Sequence, residues 1–210
     1  MQILDIIAES IRAALEAKNR VRDATIEHSR ALIRACGNAI RAMHRAEWDV
    51  AMARLDEGQS ILSRMSAAVK DFPDLYSAGY YQDACKEFVE AHAVLSMLRD
   101  HALPTPESLG VEGAAYLNGL AEAASEMRRY ILDILREQHT TQAEAFLDKM
   151  ETIYDLLMTF DFPDAVSGGL RHRLDQLRAV LERTRGDVTT SLRQHRLELA
   201  LARTEGGKRL

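Results

Sequence analysis

Only four prolines and eleven glycines occur in 210 residues, too few for a strand-and-turn architecture or a flexible linker. Aromatic residues are also sparse, and no window alternates apolar with polar side chains, so strands are not expected. The two cysteines, Cys36 and Cys85, have neither metal-ligand spacing nor the company of a disulfide framework. That usage points to a reducing, cytoplasmic compartment. Asp5 and Glu9 interrupt the opening, so no secretory leader is expected. No uncharged run is long enough to span a membrane, and no membrane partner is expected. The net charge of −5 excludes a globally basic surface. A nucleic acid could then be met only by a local basic face.

What remains is rich in Ala, Leu, Arg and Glu, all strong helix formers. Apolar residues recur at helical spacing almost throughout. The pattern predicts helices over 4–45, 48–69, 74–99, 111–137 and 141–160, with a last helix opening after Ser167-Gly168-Gly169. Phe72-Pro73 and Phe162-Pro163 act as breaks, and 101–110, with Pro104 and Pro106, reads as the clearest loop. The expected fold is all-α: one domain over 1–205, an antiparallel bundle of six or seven helices, with 206–210 as a frayed tail. On the last helix Leu170, Leu174, Leu177, Leu181, Thr184 and Val188 step by fours and threes, a seam for packing along another helix. Beside it Arg171, Arg178 and Arg185 read as a solvated flank.

Two constellations carry possible chemistry. On the first helix Arg30, Arg34, Arg41 and Arg45 fall within roughly 60° of one another at about 100° per residue. Guanidiniums so aligned suit bidentate contact with successive phosphates, and they suit a solvent face answered by neighbouring acids equally well. On the third helix Asp83, Glu87 and Glu90 form one stripe that continues into Val94 and Met97. On the fourth, Glu122 and Glu126 share a face with Ala115 and Gly119. Two such pairs could hold a hard cation through oxygen ligands. Spacing alone does not separate this from a solvated face, since Asp148, Glu151 and Asp155 show a similar pattern. A ferritin-like di-iron site would need Glu-x-x-His, and Ala93 and Arg129 stand where those histidines would be.

These segments together resemble the translin family, which comprises translin and translin-associated factor X. His28-Ser29-Arg30-Ala31-Leu32-Ile33-Arg34 and Ala39-Ile40-Arg41-Ala42-Met43-His44-Arg45 are similar to the family's first helix. Lys86-Glu87-Phe88-Val89-Glu90-Ala91 resembles the Glu-aromatic-Val-Glu-Ala motif of the factor X branch. Tyr116-Leu117-Asn118-Gly119-Leu120, leading into Ser125-Glu126-Met127-Arg128-Arg129, and Leu170-Arg171-His172-Arg173-Leu174-Asp175 resemble later family segments, all in family order. The resemblance implies an oligomeric, Mg²⁺-dependent endoribonuclease, with Mn²⁺ as an alternative ion. Glu87, Glu90, Glu122 and Glu126 would be its catalytic and metal-binding residues, and Arg30, Arg34, Arg41 and Arg45 its phosphate contacts. RNA would be the partner, or single-stranded DNA, inside a homo-octamer by analogy. The alternative is a non-catalytic RNA- or DNA-binding shell, as translin is. Glu122 stands where the factor X branch has aspartate. Gln82 and Asp83 replace translin's basic, histidine-containing patch.

Overall fold

A computed structural model of the protein describes residues 2–137 and 140–206. All regular structure among them is helical: α1 (Gln2–His44), α2 (Trp48–Val69), α3 (Pro73–Tyr76), α4 (Gly79–Arg99), α5 (Pro106–Leu109), α6 (Gly113–Arg136), α7 (Thr140–Leu157), α8 (Asp164–Ser167) and α9 (Leu170–Gly206). The all-α expectation holds, with six long helices and three of a single turn among the described residues. No helix among the described residues is long and apolar enough to cross a membrane.

Three departures from the expected elements occur, one of them α8 in the stretch expected as the break after Phe162-Pro163. The third predicted helix is split, because α3 ends at Ser77 with ψ 1°. The Gln82 side chain then donates to the Tyr76 carbonyl at 2.9 Å, holding the corner before α4 begins. Apolar spacing runs straight through such a corner, so periodicity does not reveal it. The predicted loop over 101–110 contains α5, which has Pro106 at its start, Thr105 accepting from the Ser108 amide at 3.2 Å, and Gly110 closing it at φ 68°. Pro and a Thr cap favour a helix start as much as they mark a loop, and a left-handed Gly is a common helix terminator. Of the predicted tail, Gly206 ends α9 and 207–210 lie outside the described residues.

The chain packs as two compact units, Met1–His92 and Ala93–Leu210. In the first, α1 and α2 pack together across a tight connection. Ala46 takes φ 56° there, and the Glu47 amide reaches back to the Ala42 carbonyl at 2.9 Å. Leu32, Ala39 and Met43 of α1 and Ala51, Leu62 and Met65 of α2 are buried. Burying each large side chain stabilises the unit by about 1.5–3 kcal/mol. A β-carbon at Gly58 would lie 3.3 Å from Leu32 and 3.4 Å from Phe88, so the missing side chain permits close approach there.

In the second unit α6, α7 and α9 pack against one another. Every residue of the predicted seam from Leu170 to Val188 is buried. Its one polar member, Thr184, donates to the Val180 carbonyl at 2.8 Å and accepts from Arg128 at 3.1 Å, so its burial leaves no unmet hydroxyl. The buried Asn118 amide donates to Ala114 at 2.8 Å and Ser167 at 2.7 Å, tying α6 to the turn before α9. Gly168, at φ 63°, gives the amide room, since a β-carbon there would sit 3.3 Å from it.

Candidate carboxylate site and arginine face

Helix α4 grades from solvent to core along its acidic stripe. Asp83 is exposed, Glu87 and Glu90 are half-buried, and Val94 and Met97 are buried. The expected course into apolar surface is what the structure has. The backbone thus places two carboxylates less than one turn apart and partway out of water, where like charges repel. Lys86, itself buried, puts its ammonium 3.3 Å from Glu87. The Cys36 thiol of α1 registers the local field. Burial pushes its pKa well above the ordinary thiol value, and Glu87 and then Glu90 add to the rise. A thiol so shifted stays protonated and unreactive.

On α6, Glu122 and Glu126 are half-buried, and the small residues Ala115 and Gly119 on their face are buried. That face is therefore partly covered. Glu122 has a partner the sequence did not reveal: Arg173 of α9 donates to it, with both side chains about one-quarter exposed. Arg128, a nearer candidate in sequence, is taken instead by Asp187 at 2.8 Å and Thr184. The Arg171-His172-Arg173 run was visible, but nothing in its spacing said which arginine turns inward. The comparison trio on α7 behaves as an ordinary surface: Asp148 and Asp155 are exposed, and Glu151 accepts from Arg185 at 2.7 and 2.9 Å. The flank of Arg171, Arg178 and Arg185 is exposed as expected.

The arginine stripe of α1 is exposed along its length, and its members differ in company. Arg45 is held by both oxygens of Glu47, at 2.7 and 2.8 Å, and that pairing lowers the Glu47 pKa and raises that of Arg45. Arg41 donates to Asn38 at 2.6 Å and lies over Gly37. Arg30 and Arg34 make no hydrogen bond or ion pair among the described residues. Of the four, Arg45 alone faces a carboxylate among the described residues, and Arg30 and Arg34 are the two with no side-chain hydrogen bond to give up to an external anion.

Among known proteins, the chain is similar to the uncharacterised protein MJ0175 of Methanocaldococcus jannaschii, 29% identical over 198 residues, covering 92% of this chain and 86% of that one. It is similar to the crystal structure of AfC3PO at 32% identity and a TM-score of 0.81, over 88% of this chain and 96% of that chain. The structure of AfC3PO in complex with duplex RNA gives 31% identity and 0.80, over 88% and 95%. Apo-NeC3PO, at 22% identity and 0.74 over 90% and 96%, shares the fold. No protein-family model matches the chain.

Proposed function

The chain belongs to the translin family, and on that premise we propose that it binds RNA and cleaves it with a divalent cation held by Glu87, Glu90, Glu122 and Glu126. The observation that carries this reading is the pair on α4. Two anions half-buried and close together favour positive charge beside them, which Lys86 supplies in part at Glu87 and a divalent ion would supply more fully. Glu87, Glu90, Glu122 and Glu126 are each half-buried, and each would give one oxygen to the shared ion. Carboxylate oxygens are hard donors, suited to Mg²⁺ or Mn²⁺ and not to a soft metal.

When bound, the ion would activate water and offset the charge that develops on the phosphodiester. One of the four carboxylates also orients the attacking water, whose oxygen joins phosphorus as the P–O ester bond breaks. Arg30 and Arg34 would hold neighbouring phosphates, with Arg41 and Arg45 engaging once released from Asn38 and Glu47. The duplex RNA bound by AfC3PO supports RNA as the partner. Single-stranded RNA or DNA remains within reach of the same phosphate contacts. Self-association, as a homo-octamer by family likeness, is part of the proposal.

One observation favours the second reading, a non-catalytic RNA-binding shell: Glu122 already has a cation in Arg173. Labelled single-stranded and duplex RNA, incubated with Mg²⁺ or EDTA beside Glu126→Ala, separates the two. Cleavage that needs Mg²⁺ and fails in the variant supports the enzyme. Binding without cleavage under any divalent ion supports the shell.

A further inference from the structure

One arginine of α9 stands apart from the rest. Among the described residues Arg173 alone is half-buried, and every other arginine of that helix is exposed. It lies in the first turn of α9, the end of the macrodipole that disfavours a cation, and that turn holds no acidic residue to offset it. Its charge is answered from another helix, by Glu122 of α6.

Arg128 shows what a guanidinium kept for packing looks like in the same unit. Its side chain is 27% exposed, close to the 25% of Arg173, and it bridges two partners, Asp187 at 2.8 Å and Thr184 at 3.1 Å. Arg173 is served less well. One terminal nitrogen (Nη1) donates to Glu122, while the Nε–H is buried with no acceptor among the described residues. A donor taken out of water and left unmet is costly, so a pose that leaves one is readily exchanged for a pose that satisfies it.

A divalent ion on Glu122 would supply the occasion. It takes up the charge of the carboxylate and sets positive charge beside the guanidinium, so the hold on Arg173 weakens. The released side chain carries the planar fork that suits two phosphate oxygens, and it stands at the positive end of a long helix, which favours an anion.

We propose that Arg173 is an exchangeable counter-cation of the cleavage site. It holds Glu122 while no divalent ion is bound, yields it as the ion binds, and then turns Nε and a terminal nitrogen to the RNA phosphate. This rests on the divalent-ion part of the reading above. It also accounts for the cation that Glu122 already has, since a replaceable partner lets one carboxylate serve first as structure and then as ligand.

The test measures Mn²⁺ binding to the RNA-free, full-length protein, with helix content checked by circular dichroism. Arg173→Gln should bind Mn²⁺ on the order of tenfold more tightly, the size of one charge-assisted contact released. Arg173→Lys keeps a cation beside Glu122 and should stay near wild type, as should Arg171→Gln, an exposed charge on the same turn. In a Glu122→Gln background, Arg173→Gln should have no effect on Mn²⁺ affinity. With RNA and saturating Mn²⁺ the order reverses. Arg173→Gln should lower kcat by about tenfold or more, and so should Arg173→Lys, because an ammonium lacks the fork. The Lys variant decides the question even where the Gln variant does not fold, since a guanidinium serving structure alone would leave its kcat unchanged. Unchanged or weaker Mn²⁺ binding in a folded Arg173→Gln, a gain that persists without Glu122, or an unchanged kcat would overturn the proposal and leave the carboxylate site standing. No Mn²⁺ bound by the wild type or any variant would overturn both.

Discussion

On α4, Glu87 and Glu90 sit half-buried beside a protonated thiol, with Lys86 3.3 Å from Glu87. On α6, Glu122 is engaged by Arg173, and both side chains are about as buried as Glu87. The two pairs carry the same charge at helical spacing yet stand differently. Glu122 can be kept for structure alone, because removing it leaves a guanidinium unmatched. The α4 pair has its cation on the same helix, in Lys86 next to Glu87, where Glu122 is held by an arginine from another helix. Carboxylates read as equivalent ligands from the sequence are thus distinguished by the company each keeps.

The comparison breaks most visibly in catalysis. Glu87→Gln or Glu90→Gln should slow Mg²⁺-dependent RNA cleavage on the order of 100-fold, the scale on which losing an electrostatic stabiliser of a transition state is felt. RNA affinity in filter binding should not change. Glu122→Asp should keep activity if ligand type matters more than reach, and its loss would show that the extra methylene is needed.

Stability should separate the pairs in the opposite sense. In EDTA, Glu122→Ala should cost about 1–3 kcal/mol in urea unfolding, because Arg173 is left part-buried without its partner. Glu87→Gln should cost less than that, because the amide oxygen can still accept from Lys86 and one like-charge repulsion on α4 is relieved. Equal losses at both positions would erase the distinction drawn between α4 and α6.

A similar contrast runs along the arginine stripe. Arg30→Glu with Arg34→Glu should weaken RNA binding at all sequences and reduce the slope of log affinity against log salt by about 2, roughly one per phosphate contact. Arg45→Glu should do less, because Glu47 already holds that guanidinium. Equal effects from the two ends of the stripe would mean that the intrachain partners do not matter.

The smallest expected effect is a pH dependence in the first unit. Burial, partly offset by the backbone bond to Phe88 at 2.9 Å, holds the His92 pKa below its ordinary 6.5. As pH falls through about 6.5 the unfolded chain takes up this proton first, so stability is complete above that value and is lost below it. His92→Gln should flatten the fall in urea-unfolding stability as pH drops below about 6.5. An unchanged profile would mean that the imidazole is not desolvated as the packing on Phe88 implies.

Fold class was legible because helical spacing, the α9 seam and the Pro-marked breaks all act locally. The corner between α3 and α4 was not, since Gln82 makes it by reaching back six residues to a backbone carbonyl. The seam on α9 was read correctly as a packing surface, but its cover is intrachain, so it is no argument for assembly. At the site, the course of Asp83, Glu87 and Glu90 into apolar surface could be read from spacing. The engagement of Glu122 by Arg173 could not, because 51 residues separate them and several arginines on α9 were equally eligible. Nor could spacing show that Glu47 occupies Arg45 while Arg30 and Arg34 stay open.

Electron paramagnetic resonance of Mn²⁺ binding to the RNA-free protein tests the central claim most directly, comparing wild type with the Glu87→Gln, Glu90→Gln double variant. The account predicts bound Mn²⁺ in the wild type, displaced by excess Mg²⁺, and its loss in the double variant with helix content unchanged. Equal Mn²⁺ binding by the two proteins, or none by the wild type, would contradict it.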